Sequence, residues 1–167
     1  MYQTGDFVVY GTHGACRILT IEERRIDRKT AAYYILEPVE QVGTCYMVPV
    51  QNEAAVAKMR SVMTREELDD LLRCPEVRED AWIPEENQRK QVYRELIGSG
   101  DRKALLRMVC TLFRQRQAQL EAGKKFHLCD ENFLRDAERL LSSEMGLILQ
   151  LPPEQVVAYV RSALQEI

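Results

Sequence analysis

The sequence predicts an α+β protein in which a small, strongly bent antiparallel β-sheet or barrel precedes an all-α bundle of about five helices. Residues 1–52 contain short β-branched and aromatic runs separated by glycines and prolines, as strands and turns do. From residue 53 onward, apolar side chains recur every three or four residues, which is the period of an amphipathic helix. The 167 residues are 46% hydrophobic, enough for a real core. We therefore expect two domains, at 1–52 and 53–167.

Four strand candidates account for the first domain. Pro38 and Pro49 suit strand ends, because proline cannot donate a hydrogen bond within a ladder. A charged stretch, 22–29, separates the second candidate from the third. The four candidates are 6–10, 15–21, 33–38 and 44–50.

Capping residues mark the helices of the second domain. Thr64 and Glu67 have the spacing of a capping box, in which a hydroxyl and a carboxylate satisfy each other's unpaired amides. Pro75 ends that helix, and an acidic connector at 75–85 carries the single tryptophan, Trp82. A further helix over 86–97 stops at glycines. Later helices are expected to begin at Asp101, Asp130 and Pro153.

The charge is unevenly distributed along the chain. With 23 basic and 26 acidic residues the net charge is −3, which excludes a polybasic protein of the histone type. Segment 86–125 nevertheless holds ten basic and four acidic residues. Such a block is either a positively charged binding surface for nucleic acid or a pair of solvated helix faces.

Catalytic and metal-binding patterns are absent from the sequence. There is no phosphate-binding loop, zinc-protease motif or nucleophile elbow, and the five cysteines never form a CxxC pair. A small hydrolase using His13 and Cys16 would need a deep pocket and a depressed thiol pKa. We expect no enzyme activity, no cofactor and no metal site. With no apolar run of membrane-spanning length and no leader pattern, we expect a cytoplasmic protein.

The order of motifs resembles the CarD/CdnL family of bacterial transcription regulators. The N-terminal string GDFVVYGTHG at 5–14 carries the resemblance first, followed by IEERRI at 21–26 and MVPV at 47–50. The helical half is similar to the Firmicutes-type branch through SGDR at 99–102, TLF at 111–113 and DENFL at 130–134. The resemblance implies a Tudor-like RNA polymerase-interacting domain, shared with the transcription-repair coupling factor, joined to a helical DNA-binding domain.

The resemblance also implies a binding mode for the first domain. It would dock on the β subunit of RNA polymerase by adding its edge strand to a sheet of the partner. Arg24 matches the basic residue of the family, Arg25 is its adjacent alternate, and Met47 stands where many relatives have a second basic residue. The implied polymerase-binding residues are Arg24, Arg25, Cys45, Tyr46, Met47 and Val48.

For the second domain the resemblance implies that Trp82 acts as a wedge beside the upstream edge of the transcription bubble, from the minor-groove side. Tryptophan is equally suited to anchoring a core, so both interpretations remain open at this stage. Relatives of the other branch follow the tryptophan closely with arginines, whereas here 83–86 intervenes. The implied DNA-binding residues are Trp82, Arg89, Lys90, Arg94, Arg114, Arg116, Lys124 and Lys125.

These implications combine into a functional hypothesis. The protein would be a monomeric, nucleoid-associated transcription regulator that binds promoter DNA with low sequence specificity and stabilises the open complex. The alternative is a protein-only adaptor, in which the helical domain recruits another factor to RNA polymerase. The acidic segments 53–85 and 126–167 would suit that role.

Overall fold

The computed structural model describes residues 1–165 and confirms the mixed α+β class. Compact packing divides the chain into two units, Met1–Val62 and a second that begins at Met63. The first unit is built on a β-sheet and the second consists of helices. None of the described helices is long and apolar enough to cross a membrane.

The first unit is a five-stranded antiparallel sheet with the strand order β4-β3-β2-β1-β5. A short helix, α1 (Glu53–Val56), precedes the last strand. The strands are β1 (Phe7–Tyr10), β2 (Ala15–Ile26), β3 (Lys29–Pro38), β4 (Tyr46–Pro49) and β5 (Met59–Ser61). The unit extends ten residues beyond the boundary expected at 52, because β5 returns to pair with β1. Three residues are too few to show a strand period in the sequence.

The charged stretch 22–29 is part of a long hairpin and does not separate the strands. β2 continues to Ile26, where it faces Lys29 of β3. Between them Asp27 and Arg28 have φ angles of 49° and 66°. Two consecutive left-handed residues form the tight turn that suits the twist of a hairpin. Since this part of the hairpin is exposed on both faces, the alternation of apolar and polar residues that identifies strands is missing.

The core of the sheet unit draws side chains from every strand. Val8, Ile18, Leu36 and Val48 are completely buried, one each from the first four strands. Met59 of β5 packs against the same cluster. The short β5 is therefore part of the hydrophobic core as well as of the ladder.

The described residues of the second unit form five α-helices and one turn of 3-10 helix over Pro75–Arg78. The capping box at Thr64 and Glu67 is formed as expected, and Gly100 ends a helix in the left-handed conformation at φ 71°. The helices are α2 (Arg65–Arg73), α3 (Glu86–Ser99), α4 (Arg102–Glu121), α5 (Leu128–Leu149) and α6 (Pro153–Gln165).

The five helices share an apolar core. Leu68, Leu106, Leu112 and Leu134 lie at its centre with almost no exposed surface.

The helix cap expected at Asp130 is wrong. The helix α5 starts at Leu128, and Asp130 lies inside its first turn, almost fully buried. Its carboxylate is occupied by an arginine from α3 instead of by the amides of its own helix.

Candidate functional sites

The segment expected to bind polymerase includes an edge of the sheet. Tyr46 to Pro49 form β4, which pairs with β3 and has no other strand beside it among the described residues. Val48 points into the core, whereas Met47 is 46% exposed and Cys45 precedes the strand. An unpaired strand edge presents main-chain donors and acceptors that another strand can use. This edge is therefore able to extend the sheet onto a partner.

Arg24 and Arg25 lie near the far end of the β2–β3 hairpin. Both are exposed, and Arg24 donates to Glu22 Oε1 through Nε at 2.5 Å. Arg24 faces Ala31 on β3, four residues along that strand from the partner of Met47. At about 3.3 Å per residue, the two positions are separated by about 13 Å along the strand direction. The fold thus places the basic hairpin end and the free edge on one sheet without bringing them into contact.

Trp82 is half-buried on the connector before α3. Its ring packs partly against the helical core. The guanidinium carbon of Arg89 lies 4.3 Å from the ring centroid, a stacked cation–π arrangement. The side chain is therefore supported on one side and still partly exposed, so both interpretations of Trp82 stay open.

Arg89 is the centre of a buried network. It forms a two-pronged ion pair with Asp130, with both N–O distances at 2.9 Å. A third nitrogen donates to the carbonyl oxygens of Ile83 and Pro84, at 2.9 and 3.3 Å. The bond with Asp130 raises the pKa of Arg89. Since only 5% of Arg89 is exposed, we assign it to holding the connector and not to the phosphate contact implied by the resemblance.

Side chains of α4 hold the rest of the connector. The buried hydroxyl of Thr111 accepts a hydrogen bond from the Ala81 amide at 3.2 Å. Arg114 donates to the carbonyl oxygens of Arg78 and Glu79, at 2.5 and 3.3 Å. Arg114, another residue of the implied DNA-binding set, is therefore engaged with the protein's own main chain.

The other basic candidates differ in how far their charge is compensated. Lys90 forms an ion pair with Glu86 at 2.5 Å, and Arg116 one with Glu131 at 3.5 Å. Within the described part of the chain, the exposed candidates without an ion pair are Arg94, Lys124 and Lys125.

The start of α5 brings several of these residues into one region. Asp130 contacts Arg89 there, and Glu131 pairs with Arg116 of α4. Lys125 lies five residues before Asp130 on the loop that leads into the helix. Trp82, stacked on Arg89, lies at the same end of the unit.

Asp130 and Thr111 are the important residues that sequence reasoning missed as parts of this region. The sequence pattern predicts a helix cap at Asp130 and marks Thr111 only as part of a motif. A buried carboxylate needs a cation, but nothing in the sequence identifies Arg89 as that cation across 41 positions. Only the packing of α3 against α5 reveals the pair.

The hydrolase hypothesis finds no support in the geometry. His13 is exposed and lies against Tyr10 and Tyr46, with ring centroids 5.3 and 4.0 Å apart. Burial raises the pKa of the Cys16 thiol to about 11, the reverse of the depressed pKa that a nucleophile needs. Among residues 1–165, no group of three or more potential ligands could hold a metal ion.

Comparison with known proteins agrees with the sheet unit and its motifs. Residues 2–63 match the family model described as "CarD-like/TRCF RID domain". The chain is also similar to a Bacillus subtilis (strain 168) protein named "Putative transcription factor YdeB", with 23% identity over 169 residues, covering 95% of this chain and 99% of the relative. The match includes the free edge strand, the hairpin and β5. The first unit of the chain is accordingly a CarD-like/TRCF RID domain, and beyond residue 63 the chain is similar to the B. subtilis protein at low identity.

Proposed function

We propose that this protein is a transcription regulator that binds the β subunit of RNA polymerase through its sheet unit and stabilises the open promoter complex through its helical unit. The observation that carries the proposal is the match of residues 2–63 to an RNA polymerase-interacting domain family. The name of the similar B. subtilis protein agrees with a role in transcription.

The sheet unit supports the polymerase contact through two features. β4 has a free edge suited to strand addition, and the nearby hairpin carries exposed arginines. Arg24 already has an acidic partner in Glu22. A carboxylate on the polymerase would therefore replace Glu22 as the partner of Arg24.

The helical unit supports the DNA contact through Trp82. A partly exposed indole, stacked on a buried arginine, is held ready to stack on a disrupted base step, and such wedges act on steps that cost a few kcal/mol to unstack. Lys124 and Lys125 would add phosphate attraction. Because such attraction carries no sequence information, promoter specificity would come from the polymerase.

Charge reversal tests the polymerase contact. Arg24→Glu places three acidic side chains at 22–24 and is expected to weaken capture of the isolated β-subunit lobe at least about tenfold, or about 1.4 kcal/mol. Glu22→Gln frees Arg24 and is expected to retain or increase capture. Arg73→Glu, the same charge change on an exposed site of the other unit, is the matched control. If Arg24→Glu is captured as well as the wild type, Arg24 does not contact the β subunit.

Open-complex lifetime tests the wedge. The assay uses the organism's own polymerase and promoter and compares no protein, the wild-type chain, Trp82→Ala and Trp82→Phe. We expect the wild type to lengthen the lifetime, Trp82→Phe to retain part of the effect and Trp82→Ala to lose it while still binding polymerase. Equal lifetimes for all three proteins, with early melting of Trp82→Ala, would assign Trp82 to the core.

The ion pairs of the basic segment favour one alternative, a protein-only adaptor. Lys90 and Arg116 each have a carboxylate partner, which reduces the positive charge available to DNA. In that case the helical unit would recruit another protein to the polymerase. Crosslinking from position 82 within a promoter complex separates the two functions, since only the regulator places Trp82 at the upstream fork.

A further inference from the structure

The helical unit contains a cavity that the proposed function does not use. It has a volume of about 330 Å³ and lies among α4, α5 and α6. Its wall is mainly apolar and includes Val109, Phe113, Met145, Val157 and Val160. The cavity is partly open to solvent, and its size lies within the range of pockets that bind small ligands.

The size of the cavity limits what it could hold. An apolar cavity of about 150 Å³ in another protein binds benzene, which has six heavy atoms. In proportion, this cavity would accommodate roughly a dozen heavy atoms. That is the size of a medium-chain or monoaromatic metabolite and well below that of a membrane lipid.

Two arginines give the edge of the cavity a positive charge. Arg78 and Arg114 both line it. Arg78 donates to the carbonyl oxygens of Leu72, Cys74 and Leu164, and Arg114 to those of Arg78 and Glu79. Neither arginine has a carboxylate partner among residues 1–165. Carbonyl oxygens orient a guanidinium but do not neutralise it.

Both arginines retain donors for a ligand. A guanidinium has five N–H groups, so after the bonds to main-chain oxygens of residues 1–165 Arg78 keeps two and Arg114 three. Their charge also reaches the cavity wall. Burial raises the pKa of the Cys110 thiol there, and both arginines oppose that rise.

A third arginine lining the cavity is compensated. Arg161 stacks on Phe113, with its guanidinium carbon 4.4 Å from the ring centroid, and lies 3.7 Å from a carboxylate oxygen of Glu138. Desolvation raises the pKa of Glu138, and Arg161 opposes that rise. Among the described residues, the cavity therefore has one neutralised pair, Arg161 with Glu138, and two arginines without a carboxylate partner.

We propose that this cavity is a binding site for a small amphiphilic carboxylate. The apolar part of the ligand would lie among the side chains of α4, α5 and α6, and its carboxylate would pair with Arg78 and Arg114. The planar fork of a guanidinium matches a carboxylate and forms stronger hydrogen bonds to it than to a neutral group. An alcohol would leave the two charges uncompensated, and a cationic amphiphile would be repelled.

Decanoate, with twelve heavy atoms, is the probe for the test. Isothermal titration of the full chain, at concentrations below micelle formation, compares decanoate with 1-decanol and decyltrimethylammonium. We expect saturable one-to-one binding of decanoate, at least about tenfold tighter than binding of either other ligand. No saturable binding of decanoate, or equal affinity for decyltrimethylammonium, would overturn the proposal.

Two variants locate the site. Val160→Phe fills the cavity and is expected to weaken decanoate binding at least about tenfold. Arg114→Gln is expected to weaken decanoate binding about fivefold while leaving 1-decanol unaffected. Arg94→Gln, the same change at an exposed position of α3, is the matched control and should bind decanoate as the wild type does. Undiminished binding by Val160→Phe would place the ligand elsewhere and overturn the assignment.

A measurement on the wild type keeps the test decisive if a variant fails to fold. Methyl NMR of the full chain with decanoate should show shifts concentrated at Met145, Val157 and Val160. Shifts concentrated at the methyl groups of the sheet unit would overturn the proposal. If an acidic amphipathic peptide perturbs these methyl groups and decanoate does not, the cavity is a protein-docking surface and the proposal is wrong.

Discussion

The β2–β3 hairpin and the Trp82 connector both carry residues proposed for function, but they are held in opposite ways. The hairpin is a regular ladder, so its main chain determines its shape and Arg24 and Arg25 remain exposed. Residues 79–85 have no ladder, and side chains from α3 and α4 bind their main-chain atoms instead. An arginine is available to a partner in the first region and is part of the scaffold in the second.

The contrast explains why charge counted along the sequence overstates the charge available for binding. Of the ten basic residues in 86–125, six are in ion pairs within the described chain. Arg114 binds carbonyl oxygens instead. A basic segment can therefore mark a connector that needs donors as readily as a nucleic-acid surface.

Breaking the Arg89–Asp130 pair should have the largest effect on stability. Arg89→Met leaves Asp130 buried without its partner, and loss of one member of a buried pair costs about 3–5 kcal/mol. Urea denaturation followed by tryptophan fluorescence measures this, because Trp82 is the single tryptophan and lies on the connector. Arg89→Met combined with Asp130→Leu should recover much of the loss. A loss below about 1 kcal/mol for the single variant would show that the connector is held by other contacts.

Removing the Thr111 hydroxyl should have an intermediate effect. Thr111→Val keeps the shape of the side chain but leaves the amide of Ala81 without its acceptor, at a cost of about 1–3 kcal/mol. Amide hydrogen exchange at Ala81 should accelerate accordingly. Thr30→Val, the same change on the exposed hairpin, is the matched control. It should leave amide hydrogen exchange unchanged both at Ala81 and in the hairpin. Slow exchange at Ala81 in Thr111→Val would mean that the connector is rigid without this bond.

The two regions also show which features were predictable. The capping box at Thr64 and the left-handed Gly100 depend on residues within a few positions of each other, so the sequence identified both. The hairpin over 22–29 and the short β5 could not be predicted, because neither buries one face in a regular alternation. The motifs at 5–14, 21–26 and 47–50 are contiguous strings in a fixed order, and they sufficed to identify the RID domain.

Site prediction was limited by contacts distant in sequence. Trp82 stood out because it is unique, but the residue that supports it, Arg89, is anchored by Asp130, which lies 41 positions further along the chain. The sequence therefore places Arg89 with Lys124 and Lys125 among the implied DNA-binding residues. The three residues differ in solvent exposure, because Arg89 is buried and both lysines are exposed.

Tyr93, which is close enough to Arg89 and Asp130 to feel their charges, should have a smaller, pH-dependent effect on stability. Its buried hydroxyl has no hydrogen-bond partner among the described residues, and burial raises its pKa from 10.0 to about 12. The folded state then binds more protons than the unfolded state above pH 10, so stability should fall as pH rises from 10 towards 12. Tyr93→Phe should remove this contribution and change stability at pH 7 by less than about 1 kcal/mol. An unchanged pH slope in urea denaturation would show that another group titrates.

Neutralising Arg24 should have the smallest effect on stability. Arg24→Gln loses only an exposed ion pair with Glu22, whose contribution is less than about 1 kcal/mol because water competes for both groups. Hydrogen exchange of the β2 and β3 amides should therefore match the wild type, although polymerase capture should weaken if Arg24 contacts the β subunit. Faster exchange throughout the hairpin would mean that its side chains hold it, as they hold the connector. The difference between the two regions would then be one of degree, since both would depend on arginine side chains for their shape.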